Sequence, residues 1–122
     1  MADQIPSDVI ETLYQMAGGD YAGVIGRLRT NERVAKFVTM FADDASYPNL
    51  VSNMAAENWD EAFRAAHTLK GVSRDMGFID LSEYASEITE ALRANDHELA
   101  QKLLPTVQEE YKQVADAIAM FR

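Results

Sequence analysis

Arg64, Lys70, Gly71 and Arg74 lie three, three, four and seven residues from His67. Those spacings bring side chains to one flank of a helix. An imidazole nitrogen is a nucleophile, and lysine and arginine stabilise phosphoryl oxygens. Gly71 contributes room. An interior helical glycine costs about 1 kcal/mol relative to alanine, and one that points outward beside a histidine clears an approach to the ring. A nucleophile, three cations and a gap together describe a histidine that accepts phosphate from a bulky partner.

This chemistry requires a helix over residues 59–76. Wound at about 100° per residue, Ala62, Ala66, Leu69, Ser73 and Met76 fall within about 40° of one direction, and His67 lies about 140° away from it. The first set is a buried stripe and His67 faces water. Asn58 is the predicted N-cap, and Gly77 occupies the position just past the helix end. Phe63 and Met76 are apolar candidates for the rim of the docking surface.

The rest of the chain must position this helix. Gly and Pro are few, 6 and 3, and fall mostly between periodic segments. No alternating Val, Ile or Thr run reads as a strand. The predicted fold is all-α, an antiparallel four-helix bundle over residues 31–122, with one or two short N-terminal helices over 1–30 covering one end. Ser7, Asp20, Asn31 and Asp96 are predicted N-caps, and Asp80 with Glu83 has capping-box spacing. Val34, Phe37, Val38 and Phe41 form one predicted apolar face. Tyr47-Pro48 opens a further helical piece, either separate or continuous with the helix before it. Leu81, Tyr84, Ala85, Ile88 and Leu92 form the face of the helix after the histidine. Pro105 is expected to break or kink the last segment.

Composition removes other function classes. With 11 Lys+Arg against 20 Asp+Glu the net charge is −9, which argues against nucleic acid and anionic membrane surfaces as partners. There are no cysteines, so thiolate chemistry and cysteine-ligated metals are excluded. No apolar run approaches the roughly 20 residues of a membrane span, and the N-terminus lacks a signal peptide's basic start and apolar stretch. The expectation is a free-standing, monomeric, cytoplasmic protein. A di-iron bundle needs Glu-x-x-His pairs; Arg64 and Ala94 stand where the glutamates would be. As an enzyme, the chain offers no nucleophile or second histidine placed to work with His67.

The run Ala66-His67-Thr68-Leu69-Lys70-Gly71-Val72-Ser73, with Met76-Gly77 and Leu81, resembles the signature of the histidine-containing phosphotransfer (HPt) domain, most sharply over residues 59–93. The resemblance implies a four-helix bundle with an exposed phospho-accepting histidine midway along one helix. It implies a phosphoryl carrier without kinase activity, relaying phosphate between receiver-domain aspartates in two-component phosphorelays. His67 would be the acceptor, attacking through Nε2. Lys70 would stabilise the phosphoryl oxygens, and Gly71 would admit the partner. Phe63, Arg64, Arg74, Ser86 and Thr89 would meet that partner. The implied partners are response-regulator receivers and a hybrid sensor histidine kinase; the receiver brings the Mg²⁺, so the chain itself needs no cofactor. Thr89 departs from the Gln or Glu that many members carry near this position, and Val72 and Arg74 depart from the small residues often seen after the Lys-Gly pair. The alternative is a helical adaptor that docks signalling partners without carrying phosphate. A histidine kinase dimerisation domain is disfavoured, because these residues hold no Gly-rich ATP-lid pattern.

Overall fold

The computed structural model describes residues 4–122; Met1–Asp3, part of the N-terminal stretch considered above, lie outside the described residues. A 3₁₀ turn at Ser7–Val9 leads into α1 (Ile10–Ala17), α2 (Tyr21–Leu28), α3 (Asn31–Ala42), α4 (Ser46–Ala55), α5 (Trp59–Asp75), α6 (Ile79–Arg93) and α7 (His97–Phe121). Every regular element among the described residues is helical. Three-residue connections join α4 to α5, α5 to α6 and α6 to α7, and connections this short return each helix antiparallel to the last. α5 lies between α4 and α6, α7 packs on α6, and α1 packs on α7. α3 meets α2 and the 3₁₀ turn.

Several helix starts differ from the sequence reading. Thr30, not Asn31, caps α3: its hydroxyl accepts from Arg33 N–H at 3.2 Å. Asn31 is already helical and accepts from the Tyr21 hydroxyl at 2.7 Å. Ser7 lies inside the 3₁₀ turn and caps nothing by its side chain. Asp80 is the second residue of α6, whose N-cap is Phe78, and makes no cap bond. Asn58 occupies the N-cap of α5 without a side-chain bond. Asp20 and Asp96 cap as expected, accepting from Gly23 N–H at 3.0 Å and Leu99 N–H at 3.1 Å.

α4 is a separate helix with Pro48 in its first turn, where a missing N–H costs nothing. Pro105 does not break α7, which runs through it to Phe121. Neighbouring turns, anchored by buried Ala100 and Val107, hold the helix across the one ladder bond the proline cannot donate.

A chain of aromatic rings joins the N-terminal helices to the bundle. Tyr21 meets Tyr14 at 6.1 Å, Tyr14 stacks on Phe78 at 5.2 Å, Phe78 meets Phe41 at 5.1 Å, Phe41 meets Tyr111 at 6.1 Å, and Tyr111 stacks on Tyr47 at 3.7 Å. Val34, Val38 and Phe41 are buried as expected, but Phe37 is exposed at 38%. α3 sits at the periphery, so only part of its apolar arc is covered.

Candidate functional site

α5 is fixed at both ends by its own sequence. Asp60 and Glu61 occupy its first turn and Arg74 its last, each placed to complement the helix dipole. At the C-terminus Phe78 N–H donates to Ser73 C=O at 2.9 Å and Gly77 N–H to Arg74 C=O at 3.0 Å. This is the Schellman pair of bonds. Gly77 has φ +75, and a Cβ there would lie 2.9 Å from the Asp20 carbonyl oxygen. Only glycine fits both conditions. From α1 the buried Tyr14 hydroxyl donates to Met76 C=O at 2.7 Å, so the helix end is locked to the N-terminal layer.

The buried stripe is the one read from the sequence: Ala62, Ala66 and Ser73 are 0% exposed, Leu69 1% and Met76 6%. Met76 is therefore core rather than a docking residue. His67, at the middle of α5, faces solvent. A Cβ built on Gly71 would meet no atom within 4 Å, so the space one turn beyond the ring is open. Arg64 is exposed and pairs with Glu61 at 3.5 Å. Lys70 is half-buried and Arg74 exposed, and among the described residues neither forms an ion pair. Two of the three cations beside His67 are thus uncommitted. The Lys70 backbone carbonyl accepts from the Ser82 hydroxyl at 3.2 Å, which ties this turn of α5 to α6.

The remaining candidates divide. Phe63 is half-buried, and its ring lies parallel to the His67 ring, centroids 6.0 Å apart at 8°. Ser86 is half-buried on α6. Thr89 does not belong to the surface: it is 0% exposed, and its hydroxyl donates to Ala85 C=O at 2.6 Å. α6 is covered by α5 on one side and α7 on the other, so its buried arc is wide enough to take in Thr89. A partner cannot reach that hydroxyl.

Arg93, on the same flank of α6 as Ser86, joins the site. Its guanidinium lies over the Phe63 ring, 5.0 Å from the centroid, and its Nε donates to Glu90 at 3.2 Å. Spacing along α6 places Arg93 on this flank; its contact with Phe63 on α5 depends on how the two helices pack. His97, the second histidine, stacks on Trp59 at 4.1 Å and its Nε2 is buried without a hydrogen-bond partner. The two histidines thus differ: His67 is exposed, whereas His97 is half-buried with its Nε2 covered.

No helix among the described residues is long and apolar enough to cross a membrane. No curated protein and no solved structure matches the chain. The family model described as Hpt domain matches residues 36–117, which includes α4, α5 and α6 entire, the C-terminal half of α3 and most of α7. An exposed histidine at the centre of α5, beside an open glycine and uncommitted cations, lies within that match, and the chain belongs to the Hpt domain family, whose members act in histidine phosphotransfer.

Proposed function

We propose that His67 accepts a phosphoryl group from the phospho-aspartate of a response-regulator receiver domain and passes it to the aspartate of another. The observation that carries this reading is the conjunction at one turn of α5: an exposed imidazole, a cleared surface at Gly71, and a Lys70 ammonium with no carboxylate partner among the described residues.

In the step itself, an imidazole nitrogen lone pair forms the N–P bond as the bond from phosphorus to the aspartate oxygen breaks. The electron pair leaves on the carboxylate. Lys70 faces the phosphoryl oxygens, where charge spreads in the transition state, and Arg74 adds positive potential on the same flank. The partner supplies the Mg²⁺ and the acidic pocket. Phosphoryl transfer depends mainly on positioning and charge, so an exposed, well-held imidazole on a rigid helix is what this chain needs to contribute. It originates no phosphate of its own; a hybrid sensor histidine kinase feeds the relay, and the bundle acts as a cytoplasmic monomer.

The test is incubation with receivers charged with labelled phosphate in Mg²⁺. Label that is acid-labile and alkali-stable is expected on the wild type and absent from His67→Gln. Undiminished label on His67→Gln contradicts the assignment, and failure of every receiver to transfer favours the adaptor reading.

A further inference from the structure

His67 has no hydrogen-bond partner among the described residues, so no polar side chain fixes the plane of its ring. What does lie against it is aromatic. Phe63, one turn earlier on α5, holds its ring parallel to the imidazole, 8° from coplanar with centroids 6.0 Å apart, within the range of offset aromatic pairs. Phe63 is itself held. Arg93 reaches across from α6 to place its guanidinium 5.0 Å from the Phe63 centroid, the geometry of a cation–π contact. Arg93 is fixed in turn by Glu90, 3.2 Å away on the same helix. Four side chains from two helices therefore form a line that ends on the imidazole.

We infer that Phe63 is a positioning residue for His67. The Phe63 ring, gripped from α6 by Arg93, restricts the imidazole to one plane on the exposed face of α5. The inference rests on His67 being the phospho-acceptor. An imidazole free to turn about its side-chain torsions would present its nitrogen to an incoming phosphorus only part of the time. A ring held parallel to Phe63 loses less orientational freedom on the way to the transition state. Phe63 takes no part in bond making; as a positioning residue its effect falls on the rate of the step, whereas the docking contact expected from the sequence would move the partner's affinity.

Two measurements on the intact protein decide this. In the first, proton spectra of the His67 ring are compared between wild type and Phe63→Leu without any partner. The ring-current shift should vanish in Phe63→Leu, persist in Phe63→Tyr, and weaken in Arg93→Ala. Identical His67 spectra in wild type and Phe63→Leu overturn the inference. In the second, transfer from a charged receiver is measured against receiver concentration. Phe63→Leu should lower the maximal rate about fivefold, the factor corresponding to about 1 kcal/mol of lost ring contact. The half-saturating concentration should not move, and Phe63→Tyr should restore the rate. A shift in half-saturation with an unchanged maximum makes Phe63 a docking contact and overturns the positioning role, as does an unchanged rate. If no receiver phosphorylates the wild type, the phosphotransfer reading fails, while the partner-free spectra still decide whether Phe63 orders the ring.

Discussion

At the scale of single residues, the outward face of α5 is governed by what is missing at Gly71 and what is unpaired at Lys70. Since a Cβ at Gly71 meets nothing within 4 Å, Gly71→Ala should raise stability by about 1 kcal/mol through helix propensity alone, measured by denaturant unfolding. Gly71→Gln should also leave the fold intact, yet slow transfer from a receiver by crowding the approach to His67. Unchanged transfer in Gly71→Gln would show that the gap is not used. Lys70→Ala should lower the maximal transfer rate by about tenfold to a hundredfold, because a hydrogen bond to a charged group is worth about 1.5–3 kcal/mol. Its unfolding midpoint should stay near that of the wild type. The helical wheel was enough to find His67, Lys70, Gly71 and the stripe beneath them, since these follow from one period on one helix. It could not place Thr89 or Phe37. Their burial depends on how many neighbours cover α6 and α3: α6 is enclosed on two sides, while α3 lies at the edge.

At the scale of elements, the fit of α5 against its neighbours depends on its C-terminal end. The Tyr14 hydroxyl bonds the Met76 carbonyl at 2.7 Å, and Tyr14→Phe should cost about 1–3 kcal/mol, because it leaves a buried carbonyl unsatisfied. Burial pushes the Tyr14 phenol up from its ordinary value, and the half-buried Tyr111 phenol shifts in the same direction for the same leading cause. The unfolded chain therefore gives up these protons first. The stability linked to them is intact below pH about 10 and is lost as pH rises beyond it. Tyr14→Phe should make the alkaline limb of the unfolding curve shallower, and an unaltered limb would show that other groups govern it. Helix existence and order were readable from apolar spacing, but the starts of α1, α3 and α6 were not. Thr30 and Asn31 are both capping residue types, and only the backbone turn at Thr30 decides between them. Pro105 does not break α7, because a proline opposes a helix only locally and 25 residues packed along the bundle outweigh it. Pro105→Ala should therefore stabilise the protein, by at most about 3 kcal/mol.

At the scale of the molecule, an acidic chain sets four basic residues on the two helices around its exposed histidine, two of them paired with Glu61 and Glu90. The net charge is −9, yet Arg64, Lys70 and Arg74 share the helix of one exposed histidine, and Arg93 reaches Phe63 beside it because α6 packs on α5. The linked aromatic rings and the Arg122–Asp43 ion pair at 3.0 Å join the outer helices to the bundle that presents this face. The account rests on one of two histidines being the acceptor: His67 is exposed, whereas the Nε2 of His97 is buried against the rest of the chain. The most direct measurement is the nitrogen spectrum of both histidine rings after incubation with a phosphorylated receiver. Coupling to phosphorus should appear on a ring nitrogen of His67 alone, with His97 unaltered. Coupling on His97, or on neither ring while the chain carries label, would contradict the account.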